Sequence, residues 1–292
     1  MTPRVEFFSR GVTIRPLDAW AEFQAAENLE RVVWQMPDWR DAVPANLLIA
    51  AQKNGGLVLG AFVDARLVGF AFSFLARDAA PASLKHHSHM LAVLPEFQSR
   101  GIGLELKLAQ RAICLTRGID LMTWTFDPLQ ALNANLNLWR LGAHARHYLA
   151  DAYGEMSDGL NAGLASDRFI VEWKMNDARV RACAQTEPAR LDWANLLRDG
   201  AREIFSVAFD APNVPRVRDQ CALDGDTLLI EIPAQINALK TASLAVAREW
   251  RARTRAVFQN AFASGYRAEN FVYAEQNGAR RAAYVLRRDD RR

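Results

Sequence analysis

Cysteine is sparse in this chain of 292 residues: Cys114, Cys183 and Cys221 are the whole set. An odd number at long spacings supports neither a disulfide framework nor a zinc ribbon, and no metal site is expected. Long apolar runs are missing too. No stretch of 18 or more apolar residues occurs, so no membrane-spanning helix is expected. The opening MTPRVEFFSRG lacks the apolar core of a signal peptide, and a reducing cytoplasm is the default location. An excess of one charge is absent as well. Lys and Arg number 36 against 33 Asp and Glu, a net charge of +3. Nucleic-acid binders usually present a dense basic face, which this balance does not support. The arginines at 287, 288, 291 and 292 read as a solvated tail.

What is present is ordinary globular chemistry: 50% hydrophobic, 24% charged and 10% aromatic residues. The length suggests about two domains. Strand and helix patterns alternate in the first part. A strand at 12–15 precedes a helix at 17–34, with Asp18, Glu22, Glu27 and Glu30 on its wet side and Trp20, Phe23 and Val32 on its apolar side. A helix at 46–53 is followed by strands at 57–63 and 67–75, close enough for a hairpin. Then come a strand at 87–94, a helix at 104–116, a strand at 119–126, a helix at 132–141 and a strand at 169–173. The stretch 176–220 is weakly patterned apart from a helix at 189–198, and it marks the expected boundary between domains at 1–176 and 177–292. Beyond it, a strand at 227–232, a helix at 242–262 and strands at 270–274 and 282–286 repeat the earlier grammar of strand, proline, turn, helix, glycine and strand. The repeat lacks the glycines of the first copy, and coincidence of a common supersecondary unit explains it equally well.

The most informative block is Leu91-Ala92-Val93-Leu94-Pro95-Glu96-Phe97-Gln98-Ser99-Arg100-Gly101-Ile102-Gly103. A strand feeding a glycine-rich turn and then a helix is suited to hold phosphate. The first helical turn has free N–H groups and a partial positive charge, and glycine lets backbone approach an anion. A Walker loop is excluded because Lys107 neither follows a glycine nor precedes Ser or Thr, and a dinucleotide fingerprint is excluded by the missing third glycine.

The pattern L-x-V-x-P followed by Q-x-x-G-x-G resembles the acyl-CoA signature of the GNAT superfamily of N-acyltransferases. The element order is similar over about residues 12–175. Trp124–Pro128, Asn133 and Ser166–Phe169 also resemble a bacterial GNAT branch with an extra C-terminal region. The resemblance implies an α/β (α+β) fold with a mixed, mostly antiparallel sheet flanked by helices, and a C-terminal region that would be a degenerate GNAT-like half. It implies that Leu91, Ala92 and Val93 pair with pantetheine. Gln98, Ser99, Arg100, Gly101, Ile102 and Gly103 would hold the pyrophosphate, with Asn133 and Asn135 on the CoA arm; these two asparagines equally suit a helix cap. The implied cosubstrate is acetyl-CoA, or another acyl-CoA such as succinyl-CoA.

All five histidines fall in two groups, His86, His87 and His89, then His144 and His147. His87 and His89 share a strand face unless a bulge intervenes. Their H-x-H-x-L-x-V register resembles the arylalkylamine branch of the superfamily, where such a pair helps take the proton from a substrate ammonium. An imidazole is chemically matched to that task; a hydrogen-bonded pair at a strand end is the bland alternative, and the bland one is favoured for His144 and His147. The superfamily often places a tyrosine acid four residues before the glycine that closes the following helix. Counting back from Gly142 gives Leu138. Tyr148 and Tyr153 are then the remaining acids, with Tyr153 the one assigned. Arg77 and Arg168 read as surface residues or carboxylate binders. The expected activity is N-acyl transfer, acetyl first, from CoA to a primary amine of a small molecule by direct attack. N-succinyl transfer to amino acids and a non-catalytic CoA-binding module are the alternatives. The C-terminal region would wall the acceptor site or join two copies as a homodimer.

Overall fold

The computed structural model describes residues 6–9, 11–77, 83–154, 156, 159, 162–211, 214–276 and 278–288. Arg291 and Arg292 of the expected tail lie outside them. The described residues fall into two compact units. The first runs to Trp124 and takes in Lys174–Asn176; the second holds most of Thr125–Trp173 and continues from Asp177. The changeover inside one strand lies well ahead of the 176/177 boundary expected from the composition shift.

In the first unit, β1 (Phe7–Ser9) and β2 (Val12–Pro16) lead into α1 (Trp20–Trp34) and α2 (Ala45–Lys53). The hairpin β3 (Leu57–Val63) and β4 (Arg66–Arg77) follows, then β5 (Leu84–Val93), α3 (Ile102–Thr116) and β6 (Leu121–Phe126), which belongs to this unit up to Trp124. The strands lie in the order β1-β2-β3-β4-β5-β6. All neighbours are antiparallel except β5 and β6. Ile14, Leu57, Leu59, Phe70, Leu106 and Cys114 are among the fully buried residues.

Two side-chain expectations for α1 fail. The helix begins at Trp20, not at 17, and its buried stripe is Phe23, Ala26, Leu29 and Glu30. Trp20 and Val32 are exposed, at 54% and 55%. Glu30 is not on the wet side: it is buried, with Oε2 accepting from the Val43 N–H at 2.7 Å and Oε1 without a partner. Burial lifts its carboxyl to about 8, so it is protonated at neutral pH.

The second unit contains α4 (Ala131–Ala134), which runs straight into a π-helical turn over Asn135–Arg140. After it come β7 (His144–Leu149), β8 (Arg168–Lys174), α5 (Ala178–Gln185), α6 (Trp193–Arg198), β9 (Arg202–Glu203) and the hairpin β10 (Phe205–Ala211) and β11 (Val214–Gln220). The chain ends with β12 (Thr227–Ile232), α7 (Ile236–Ala242), α8 (Leu244–Ala263), β13 (Tyr266–Gln276) and β14 (Ala279–Arg288). Its sheet has the order β8-β7-β13-β14-β12-β9, antiparallel except for β12 with β9. The mixed, mostly antiparallel α/β class read from the sequence therefore holds in both units.

The repeat does not extend to topology. β5 and β6 are parallel neighbours, whereas β14 lies between β12 and β13. The long helix expected at 242–262 is α8, which starts two residues later, after Ser243, whose hydroxyl caps it by accepting from the Val246 N–H at 3.4 Å.

Glu30 gives a test of the first unit's core. Its folded-state pKa lies above the unfolded 4.5, so the acid stabilises the fold at low pH and that contribution is lost as pH rises toward about 8. Glu30→Gln keeps the neutral shape. Urea melts should show the variant gaining on the parent by up to about 1.4 kcal/mol per pH unit above 4.5; a constant difference across that range would place the carboxyl in water.

Candidate active site

β5 carries the site, and one irregularity shapes it. The β4–β5 register runs Phe72↔Met90 and then Ser73↔Ser88, leaving His89 as an extra residue. A bulge sets two residues of one strand against one of its partner. His89 packs on Phe72 and Phe74, at ring-centroid distances of 5.9 and 6.1 Å, and His87 packs on Phe74 at 5.2 Å. Both imidazoles thus lie on the same face. His86 and Ser88 face the other way, where Ser73 Oγ meets His86 Nδ1 at 3.1 Å and Lys107 Nζ donates to Ser88 Oγ at 2.8 Å.

The environment holds the histidines neutral. His87 is half-buried and its Nδ1 lies 3.2 Å from Thr123 Oγ1 on β6. Burial, then the charges of His89, Lys107 and Lys85, push it down to about 4. His89 is exposed, yet crowding by protein also lowers its pKa. His86, wholly buried and likewise pushed down to about 4 by burial, is a core residue.

The parallel pairing of β5 with β6 ends almost as it starts. Among the described residues only His86↔Met122 and His87↔Thr123 are in register. Among the described residues the β6-side edge of β5 has no strand partner beyond His87, while its other edge stays paired to β4 as far as Val93. The chain then turns through Pro95–Phe97 into the glycine segment. Gln98 Nε2 donates to the Val93 carbonyl at 3.0 Å. Arg100 donates to the Glu96 carbonyl at 2.8 Å and lies 5.0 Å above the Phe97 ring. Ser99 and Gly101 both adopt left-handed backbone, with φ of 60° and 85°. No side chain caps α3, and the Glu105 N–H donates to the Gly101 carbonyl at 3.1 Å. The N–H groups of Ile102, Gly103 and Leu104 therefore sit at an uncapped helix start. Leu91, turned toward α3 after the bulge, is the nearest neighbour a Cβ on Gly103 would meet, at 3.7 Å. The strand edge, the glycine turn and both histidines belong to one unit.

The remaining predicted residues lie in the second unit. Asn133 is exposed on α4, and Asn135 Oδ1 accepts from Arg190 at 2.6 Å. Tyr153, 53% exposed, shares a hydrogen bond of 3.1 Å with Thr125 Oγ1. Tyr148 is unfit as an acid. Its hydroxyl donates to the buried Asp167, and burial and that carboxylate raise its pKa. Arg168 is not a surface residue but buried, donating to the Asp167 carbonyl at 3.0 Å. His144 and His147 flank Glu172 at 3.4 and 3.9 Å; the His144 hydrogen bond is the main reason the Glu172 carboxyl falls to about 2. Leu138, at the usual tyrosine position, is fully buried.

Lys107 escaped the sequence reading. It is 2% exposed, with Nζ 3.8 Å from the Trp124 ring centroid, and burial pushes it down to about 7. A period-3.6 reading places it on one stripe with Gly103, Gln110 and Cys114, an odd place for lysine and the signal that would have exposed it.

Residues 18–143 match the sequence model of the acetyltransferase (GNAT) family. The chain carries a GNAT acetyltransferase domain. No curated protein matches the sequence. Among solved structures, the GNAT-bearing chain is similar to the ribosomal-protein-S18-alanine N-acetyltransferase from Escherichia coli. That pair shares 16% identity with a TM-score of 0.45, covering 57% of this chain and 96% of that one. It is also similar to the PaiA N-acetyltransferase from Thermoplasma acidophilum in complex with coenzyme A, at 21% identity and TM-score 0.40 over 56% and 98% of the two chains. A GNAT family acetyltransferase from Elizabethkingia anophelis with acetyl-CoA bound gives 14% identity and TM-score 0.41 over 57% and 99%.

The electrostatics can be read directly. An NMR titration of the imidazoles should place His87 near pH 4. Lys107→Met removes a cation that opposes imidazolium and should raise that midpoint. An ordinary midpoint near 6.5 in the parent protein would show that the pair is not desolvated.

Proposed function

We propose that this protein transfers an acetyl group from acetyl-CoA to the primary amine of a small molecule, by direct attack of the amine on the thioester. The unpartnered edge of β5 beside an uncapped, glycine-turned helix start carries the reading. Pantetheine amides would extend the sheet along Leu91, Ala92 and Val93, using the edge that β6 leaves open. The pyrophosphate would lie against the backbone N–H groups of the Gln98–Gly103 turn, where donors and helix dipole favour an anion. Gly101 contributes its left-handed backbone to that seat.

The GNAT family match supports acetyl as the transferred group. In the reaction the amine nitrogen forms its bond to the carbonyl carbon, the C–S bond breaks, and CoA departs as thiolate. The ammonium must first lose a proton. His87 and His89 share the exposed face and are uncharged at neutral pH, so each can accept a hydrogen bond. A pKa near 4 makes His87 a weak base. Its part is to pass the proton on through water, not to keep it. Leu138 offers no acid, and a thiolate of ordinary pKa about 8.5 can leave unaided. No step uses Asn133, Asn135 or Tyr153, which belong to the second unit.

The leucine at position 138 also supports a second reading, a CoA-binding module without catalysis. Incubation with acetyl-CoA and a panel of amines, with free thiol titrated, decides between the two: thiol release that depends on the amine supports transfer, and binding without release supports the module. Gly101→Glu is expected to abolish CoA binding by calorimetry, since it adds strain and an anion at the phosphate seat; retained affinity would take the turn out of the site. The double variant His87→Ala, His89→Ala should lose about 10²–10⁴ in turnover with CoA affinity preserved. Unchanged rates and pH profile would clear both residues.

A further inference from the structure

The second unit contains a half-open cleft of about 350 Å³ that the transfer reaction does not use. That volume is in the range of small-molecule sites. Asn135, Arg190, Tyr273 and Arg280 provide its polar lining, with Leu132, Leu191 and Val272 as the apolar part. The cleft is bordered by the π-helical turn that begins at Asn135, a rare element frequent at functional sites.

Its chemistry is one-sided. Arg190 lies 3.2 Å above the Trp139 ring, and Arg280 lies 4.1 Å above that of Tyr273. A guanidinium held over a ring face keeps its N–H donors available to a ligand. Arg190 spends one donor on Asn135 Oδ1 at 2.6 Å, which leaves the Asn135 amide N–H₂ as a further donor. Among the described residues, neither arginine forms an ion pair with a carboxylate. Desolvation works against the charge of Arg190, Glu187 and Tyr273 work for it, and Arg280 adds like-charge repulsion. Two cations and an amide donor beside aliphatic side chains call for a ligand that is acceptor-rich at one end and apolar at the other.

We propose that this cleft binds a small organic oxyanion, a carboxylate or phosphate monoester on an apolar body. The two arginines and the Asn135 amide would hold the anionic end, and Leu132, Leu191 and Val272 would cover the body. The two ligand sources share the oxyanion and differ in charge and number of acceptor oxygens, so parallel titrations separate them.

Calorimetric titration of the full chain with benzoate, phenyl phosphate and neutral benzamide tests the assignment. Saturable binding of at least one anion is expected, with no benzamide binding and affinity falling as salt rises. The tighter anion identifies the source. Arg280→Ala should weaken binding about tenfold or more. Arg280 is exposed, so this variant leaves the core intact, and Arg280→Glu should abolish binding. The proposal is overturned if neither anion saturates, if Arg280→Ala binds as tightly as the parent, or if CoA displaces the anion and thereby claims the cleft for the cosubstrate. None of these readouts depends on acetyl transfer, so failure of the enzymatic reading would leave them intact.

Discussion

A single extra residue on β5 governs the first unit's site. With His89 bulged, β5 stays paired to β4 over its whole length, yet the strand's facing pattern reverses part-way. Before the bulge, His86 and Ser88 turn toward α3 and His87 turns away. After it, Leu91 turns toward α3 and packs beside Gly103. The bulged residue keeps its imidazole on the face of His87, and the shift it introduces is what makes Leu91 the residue beside the glycine turn.

Under the strand lies a polar layer. Ser73, His86, Ser88, Lys107 and Gln110 are all buried, and among the described residues His86 Nε2 and Gln110 Nε2 have no hydrogen-bond partner. Burying such groups is unfavourable unless they are bonded or neutral. The depressed pKa values of His86 and Lys107 express that cost. Among the described residues Lys107 Nζ meets the Ser88 hydroxyl and the Trp124 face, and its charge contributes to lowering the pKa of His87 across the strand. The layer beneath thus adds to the lowering of the His87 pKa, after burial and the neighbouring His89.

In the second unit, the Thr125–Pro128 and Ser166–Phe169 segments have a structural use. Asp127 accepts from Arg251 at 2.6 Å and Asp167 from Arg255 at 2.6 Å, both arginines on α8. Tyr284 donates to the Pro128 carbonyl at 2.7 Å, and Phe169 packs edge-on against Phe258 at 4.8 Å. Burial alone would raise the Asp167 pKa, but Arg255, Tyr148 and the Asp151 backbone bring it below its usual value. The part of the GNAT match beyond Trp124 is therefore packed into one core with residues near the C-terminus.

The sequence by itself determined the strand, turn and helix around Leu91–Thr116, because Pro95, Gly101 and the apolar period act within a few residues of one another. The fold class came from the resemblance that the same block carries, with the alternation of strand and helix patterns in agreement. The sequence misassigned Glu30 and passed over Lys107, since a charged side chain reveals burial only once other elements cover it. It read no strand at His144–Leu149, a segment whose pattern is polar because β7 holds the charged cluster around Glu172. Tertiary structure alone decided the bulge at His89, the early end of the β5–β6 ladder, the start of α8 after Ser243 and the placing of β14 between β12 and β13. Each depends on which strand or helix lies alongside, a choice made by long-range packing that local spacing does not encode.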